Sequence, residues 1–80
     1  MSLNEDRLMR CFASTFPAAS REEIINVHLE AMPGWDSLRG VTLLAVLSEE
    51  FDVQMDFQEL LDFGTYPVIK KRLMEQGISL

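Results

Sequence analysis

Ser37 stands between Asp36 and Leu38 at the head of a strongly apolar segment. A hydroxyl at a helix start lies beside free amides and the positive end of the helix dipole, which favour an anionic group such as a phosphodiester. The same residues also have a purely structural explanation, because aspartate and serine are common helix starters. Cys11 and His28 are the other pair whose types suggest chemistry, as nucleophile and base. Cys11 falls on the apolar face of a helical pattern and His28 in a loop with no evident orienting partner, so catalysis is not expected of them. Asp52, Gln54, Asp56 and Glu59 superficially suggest a calcium loop, but Phe57 occupies the place where the sharp turn requires glycine and the terminal glutamate spacing fails. No metal site is expected. Lys70, Lys71 and Arg72 could attract a membrane or a phosphate, yet three such charges in an acidic chain read as a solvated helix face.

Composition narrows the field. The chain has 80 residues, 13 acidic and 7 basic, for a formal charge of -6. That length gives one domain, 1–80, near the size at which a single core is only marginally able to hold a chain together. The charge argues against nucleic acid and favours basic protein surfaces as partners. A single cysteine forms no internal disulfide, so packing alone must stabilise the fold, in keeping with a reducing, cytoplasmic setting. Met1 to Arg10 alternates charged and apolar residues and lacks the continuous apolar stretch of a signal peptide or membrane span. A soluble monomer with no stable membrane insertion is expected.

The elements that must position Ser37 are helical. Leu8, Cys11, Phe12, Thr15 and Phe16 share one face at three- and four-residue spacing until Pro17 ends the pattern. From Pro17 to Trp35 the periodicity lapses, which predicts a long loop packed down by Ile24, Ile25, Val27 and Leu29. The spacing of Ser20 and Glu23 is that of a capping box and starts a short helical turn within it. Asp36 is placed to cap a second helix over Leu38 to Phe51. Asp56 and Glu59 form another capping box, heading a short helix with Phe57, Leu60 and Leu61 in the core and Gly64 as its stop. Thr65 is placed to cap a last helix, with Pro67 in its first turn, Val68, Ile69, Leu73 and Met74 inside, and Gly77 at its end.

At 100° per residue the second helix carries Arg39, Thr42, Glu49 and Glu50 on one side and Val41, Leu44, Ala45, Leu47 and Phe51 on the other. Val46 then points into the polar side, as a candidate partner contact or an ordinary exposed apolar residue. Ser37 lies in line with Val41 and Leu44, at the mouth of the apolar side. Gly40, one turn on, costs about 1 kcal/mol against alanine in a helix. Its missing side chain either permits close approach of an attached group or an enzyme, or reflects tolerated drift.

The stretch Gly34-Trp35-Asp36-Ser37-Leu38 resembles the phosphopantetheine attachment motif of acyl carrier proteins, in which the serine between aspartate and leucine bears the arm. Val41-Thr42-Leu43, then Glu49-Glu50-Phe51-Asp52-Val53, and Leu60-Leu61-Asp62-Phe63-Gly64-Thr65-Tyr66-Pro67-Val68 look like that family's second helix, its acidic end, and its third and fourth helices. Together these cover about half the chain at compatible spacing.

The resemblance implies an all-α four-helix bundle with a long first loop and a short third helix, itself not an enzyme. It implies a 4'-phosphopantetheine arm on Ser37, installed by a phosphopantetheinyl transferase that recognises Asp36 and Leu38, with an acyl cargo held as a thioester. Acyl-loading and acyl-accepting enzymes would be the remaining partners, meeting Arg39, Thr42, Val46, Glu49 and Glu50. Members serving fatty acid synthesis usually have glutamate where this chain has Thr42, and no positive charge at Arg39. Those departures weaken attraction for a basic partner and imply a dedicated lipid, polyketide or other specialised pathway. The alternatives are a peptidyl carrier using the same serine, and a helical interaction module in which Ser37 only starts a helix.

Overall fold

The computed structural model describes residues 3–80, and every regular element among them is helical. Helix α1 spans Leu3–Thr15, α2 Arg21–Asn26, α3 Ser37–Phe51, α4 Phe57–Phe63 and α5 Tyr66–Glu75, with a 3-10 turn at Leu29–Ala31. Side chains set most of the starts. Ser20 and Glu23 exchange both bonds of a capping box at α2, as do Asp56 and Glu59 at α4. At α3 the Asp36 carboxylate accepts the amide of Arg39 at 2.7 Å. Helix α5 ends in a Schellman pair, with Gly77 N–H donating to Met74 and Ile78 N–H to Leu73, which needs the left-handed backbone of Gly77 at φ 95°.

Helix α1 packs mainly on α3, α2 on α1 and α5, and α4 on α3 and α5. One apolar cluster fills the middle: Leu8 and Phe12 of α1, Leu43 and Leu47 of α3, and Leu60, Ile69 and Leu73 are fully buried, with Ile24 and Leu29 closing one side. The Tyr66 ring meets Phe12 edge-on at 5.3 Å. The radius of gyration, 11.3 Å, matches the roughly 12 Å expected of a compact chain this long.

Two arginines tie α1 to α3. Neither helix has a basic residue in its own last turn. Arg7 of α1 donates to the Glu50 carbonyl near the end of α3, pairs with the Glu50 carboxylate at 2.7 Å, and lies 5.0 Å from the Phe51 ring centre. Arg39 of α3 donates to the Thr15 carbonyl at the end of α1, at 2.7 Å. Each helix thus receives at its C-terminus the cation that helix dipoles favour there, supplied by its antiparallel neighbour.

Several expectations need correction. The described residues hold five α-helices where four were expected, because the helical turn expected at the Ser20 capping box runs on to Asn26 as α2, with Ile24 buried and Ile25 half-buried. Thr65 precedes α5 without a side-chain capping bond. On α5 the inner residues are Tyr66, Ile69 and Leu73, whereas Val68 and Met74 are exposed. The buried stripe of α3 is Gly40, Leu43, Leu47 and Phe51, so Val41 and Ala45 face outward. The helix is apolar nearly all round. Its orientation follows from what covers it, with α1 against one flank and aromatic side chains over Gly40.

Candidate functional site

Asp36 has an extended backbone (φ -155°, ψ 171°), and its carboxylate turns back onto the Arg39 amide while its carbonyl accepts the Gly40 amide at 3.1 Å. Those two bonds use the third and fourth amides of α3. The amides of Ser37 and Leu38 remain for an outside acceptor. Ser37 is exposed at the first helical position, so its hydroxyl is accessible beside those donors. An anionic group bonded to that oxygen fits the local field: open amides and the positive dipole end lie next to it. Asp36, bonded to the Arg39 amide, keeps the first turn wound.

Leu38 is 75% exposed, which removes a core role for it. With Val41, Thr42, Ala45 and Glu49 it forms one exposed stripe along α3, leading away from Ser37. Thr42 adds no free hydroxyl hydrogen, since its Oγ1 donates to the Leu38 carbonyl at 3.0 Å. The stripe is therefore largely apolar with an acid at each end, Asp36 and Glu49.

The expected partner residues divide into two groups. Thr42 and Glu49 are on the exposed stripe, whereas Arg39, Val46 and Glu50 line the flank that faces α1. Arg39 is committed to the Thr15 carbonyl and Glu50 to Arg7. Val46 is packed against the core at the edge of a shallow groove of about 310 Å³, shared with Arg7, Arg10, Cys11, Ser14 and Glu50. Val41 and Ala45 are the surface residues that the helical wheel assigned to the interior. Spacing alone does not place them, because apolar residues stand on nearly every side of α3.

Gly40 is buried, and the space its side chain would take is already filled. A Cβ there would stand 2.5 Å from the tip of the Trp35 indole and 2.8 Å from Phe57 Cε1. The close approach expected at Gly40 is made by the protein's own aromatics. Trp35 in turn stacks on Phe16 at 6.2 Å, with the ring planes 23° apart.

The other candidates have structural employment. Cys11 is buried on α1, and burial, followed by the nearby Glu50 charge, pushes its thiol above the ordinary range, so it is held as thiol rather than thiolate. His28 Nδ1 accepts the Glu30 amide at 3.1 Å and caps the 3-10 turn. Asp52 ends α3 in a left-handed conformation and Asp56 starts α4. In the basic run, Lys70 pairs with Glu5 at 3.1 Å and Arg72 with Glu59 at 3.8 Å, while Lys71 is exposed. Among the described residues no helix is long and apolar enough to cross a membrane. Set against known proteins, the chain matches no family model, no curated protein and no solved structure.

Proposed function

We propose that this chain is an acyl carrier that holds acyl groups on a 4'-phosphopantetheine arm attached through the Ser37 hydroxyl. The observation that carries this reading is the start of α3: an exposed serine at the first helical position, flanked by an aspartate cap and an outward-facing leucine. A capping role accounts for Asp36 but not for Leu38, whose side chain is three-quarters exposed. Recognition by a partner accounts for both.

When bound, the arm would supply the thiol that carries an acyl group as a thioester. Ser37 is the point of attachment, and the amides of Ser37 and Leu38 would hold the phosphodiester at the helix mouth. Asp36 keeps that mouth organised through Arg39. The stripe of Leu38, Val41, Thr42, Ala45 and Glu49 is the face nearest in sequence to the attachment point, and it offers apolar contact more than charge. Enzymes of a dedicated pathway, with apolar rather than strongly basic docking surfaces, suit it better than those selected for an acidic helix.

The test is the intact mass of the protein after incubation with coenzyme A, magnesium and a broad-specificity phosphopantetheinyl transferase. A phosphopantetheine-sized gain, lost in Ser37→Ala, is expected. No gain in a folded wild-type protein would refute the carrier reading and leave an interaction module.

A further inference from the structure

Trp35 lies against α3 at the one position in that helix with no side chain. Two carbons of its six-membered ring would stand 2.5 and 3.0 Å from a Cβ on Gly40, and Phe57 of α4 reaches the same point at 2.8 Å. The indole also stacks on Phe16, which is fully buried just beyond α1. Three aromatic side chains, Phe16 just after α1, Trp35 just before α3 and Phe57 of α4, therefore form a wall at Gly40, one turn along α3 from Ser37. Behind Gly40 on the same stripe come Leu43 and Leu47, both fully buried.

An alkyl chain tethered at Ser37 would gain by leaving water for that interior. Whether it does so depends on the wall, because a packed core yields no path without displacing side chains. Resting on the carrier reading above, we propose that Trp35 and Phe57, seated on Gly40, bar a Ser37-tethered chain from the core, so that the cargo rides outside the protein. The class of cargo follows. Every methylene of a long saturated chain left in water is unfavourable, so the site suits short or polar acyl groups. Trp35 is the residue that sets this limit, since it contacts both the glycine and the end of α1.

The experiment loads isotopically labelled protein with acetyl, hexanoyl and decanoyl pantetheine analogues joined by non-hydrolysable linkages, with loading verified by intact mass. The readout is the backbone amide and methyl spectrum. In the wild type the Leu43, Leu47 and Leu60 signals should coincide for all three cargoes. In Trp35→Ala and, separately, Phe57→Ala, each checked for helical content, the same signals should shift progressively from acetyl to decanoyl. Core signals that move with chain length in the loaded wild type would overturn the proposal while leaving the carrier reading intact. So would folded variants whose core signals ignore the decanoyl group. If neither variant folds, the wild-type series alone decides. Failure of the wild type to take any arm would sink both.

Discussion

Replacing Gly40 by alanine sets two effects of opposite sign against each other. In an unobstructed helix the change stabilises by about 1 kcal/mol, because glycine is the poorer helix former. Here the added methyl would stand 2.5 Å from Trp35 and 2.8 Å from Phe57. Optimal carbon–carbon separation is about 3.5 to 4.0 Å, so each aromatic must retreat by roughly 1 Å. Overpacking of this kind costs about 1 to 3 kcal/mol. The expected net result is a loss of about 1 kcal/mol, which in a domain this size lowers the melting temperature by roughly 4 to 8 °C. Trp35 is the single tryptophan, so its emission reports the displacement directly. A double-mutant cycle isolates the contact: in a Trp35→Ala background Gly40→Ala should lose most of its penalty, a coupling of about 1 to 2 kcal/mol. Urea unfolding of the four proteins measures it. Gly40→Ala that gains stability with unchanged Trp35 emission would refute the packing argument and the wall built on it.

Other substitutions separate surface from support. Leu38→Asp and Val41→Asp should change stability by no more than about 0.5 kcal/mol, since both side chains are largely in water, yet should slow arm transfer or acyl delivery. A loss of stability matching the loss of transfer would count against a recognition role. Arg39→Ala removes the cation at the end of α1 and should cost about 1 kcal/mol, less at high salt; unaltered denaturation midpoints would contradict that assignment. Burial raises the Cys11 thiol and the Tyr66 phenol above their ordinary values. The native state then keeps protons that the unfolded chain releases, so stability is full below about pH 8.5 and falls as pH rises beyond it. Urea midpoints between neutral and strongly alkaline pH should show this decline, with its earlier part removed in Cys11→Ala; a flat profile would contradict the burial of both groups.

The legible parts of the fold were those set by neighbours in the chain. Capping at Ser20, Asp36 and Asp56 depends on residues three apart, and the face of α1 from Leu8 to Phe16 depends on one helical period. What stayed hidden depends on distant segments. Helix α3 has apolar residues on nearly every side, so periodicity left its inner face undetermined, and the choice fell to α1, Trp35 and Phe57. That same ambiguity hid the exposed stripe of Leu38, Val41 and Ala45. Arg39 and Glu50 looked like free surface charges because their partners, Thr15 and Arg7, lie 24 and 43 residues away in sequence. Of the site itself, the helix start at Asp36 and Ser37 is readable at once, whereas the meeting of Trp35 and Phe57 at Gly40 is not, because it joins separate segments of the chain.

The paired arginines between α1 and α3 also fix an axial register. Sliding one helix past the other by a single turn, about 5.4 Å, would break the Arg7 and Arg39 attachments together, at opposite ends of the pair. The two helices must therefore translate as one rod. A pull applied at the Ser37 end of α3 loads α1 as well, through Arg39 at the near end and Arg7 with Glu50 at the far one.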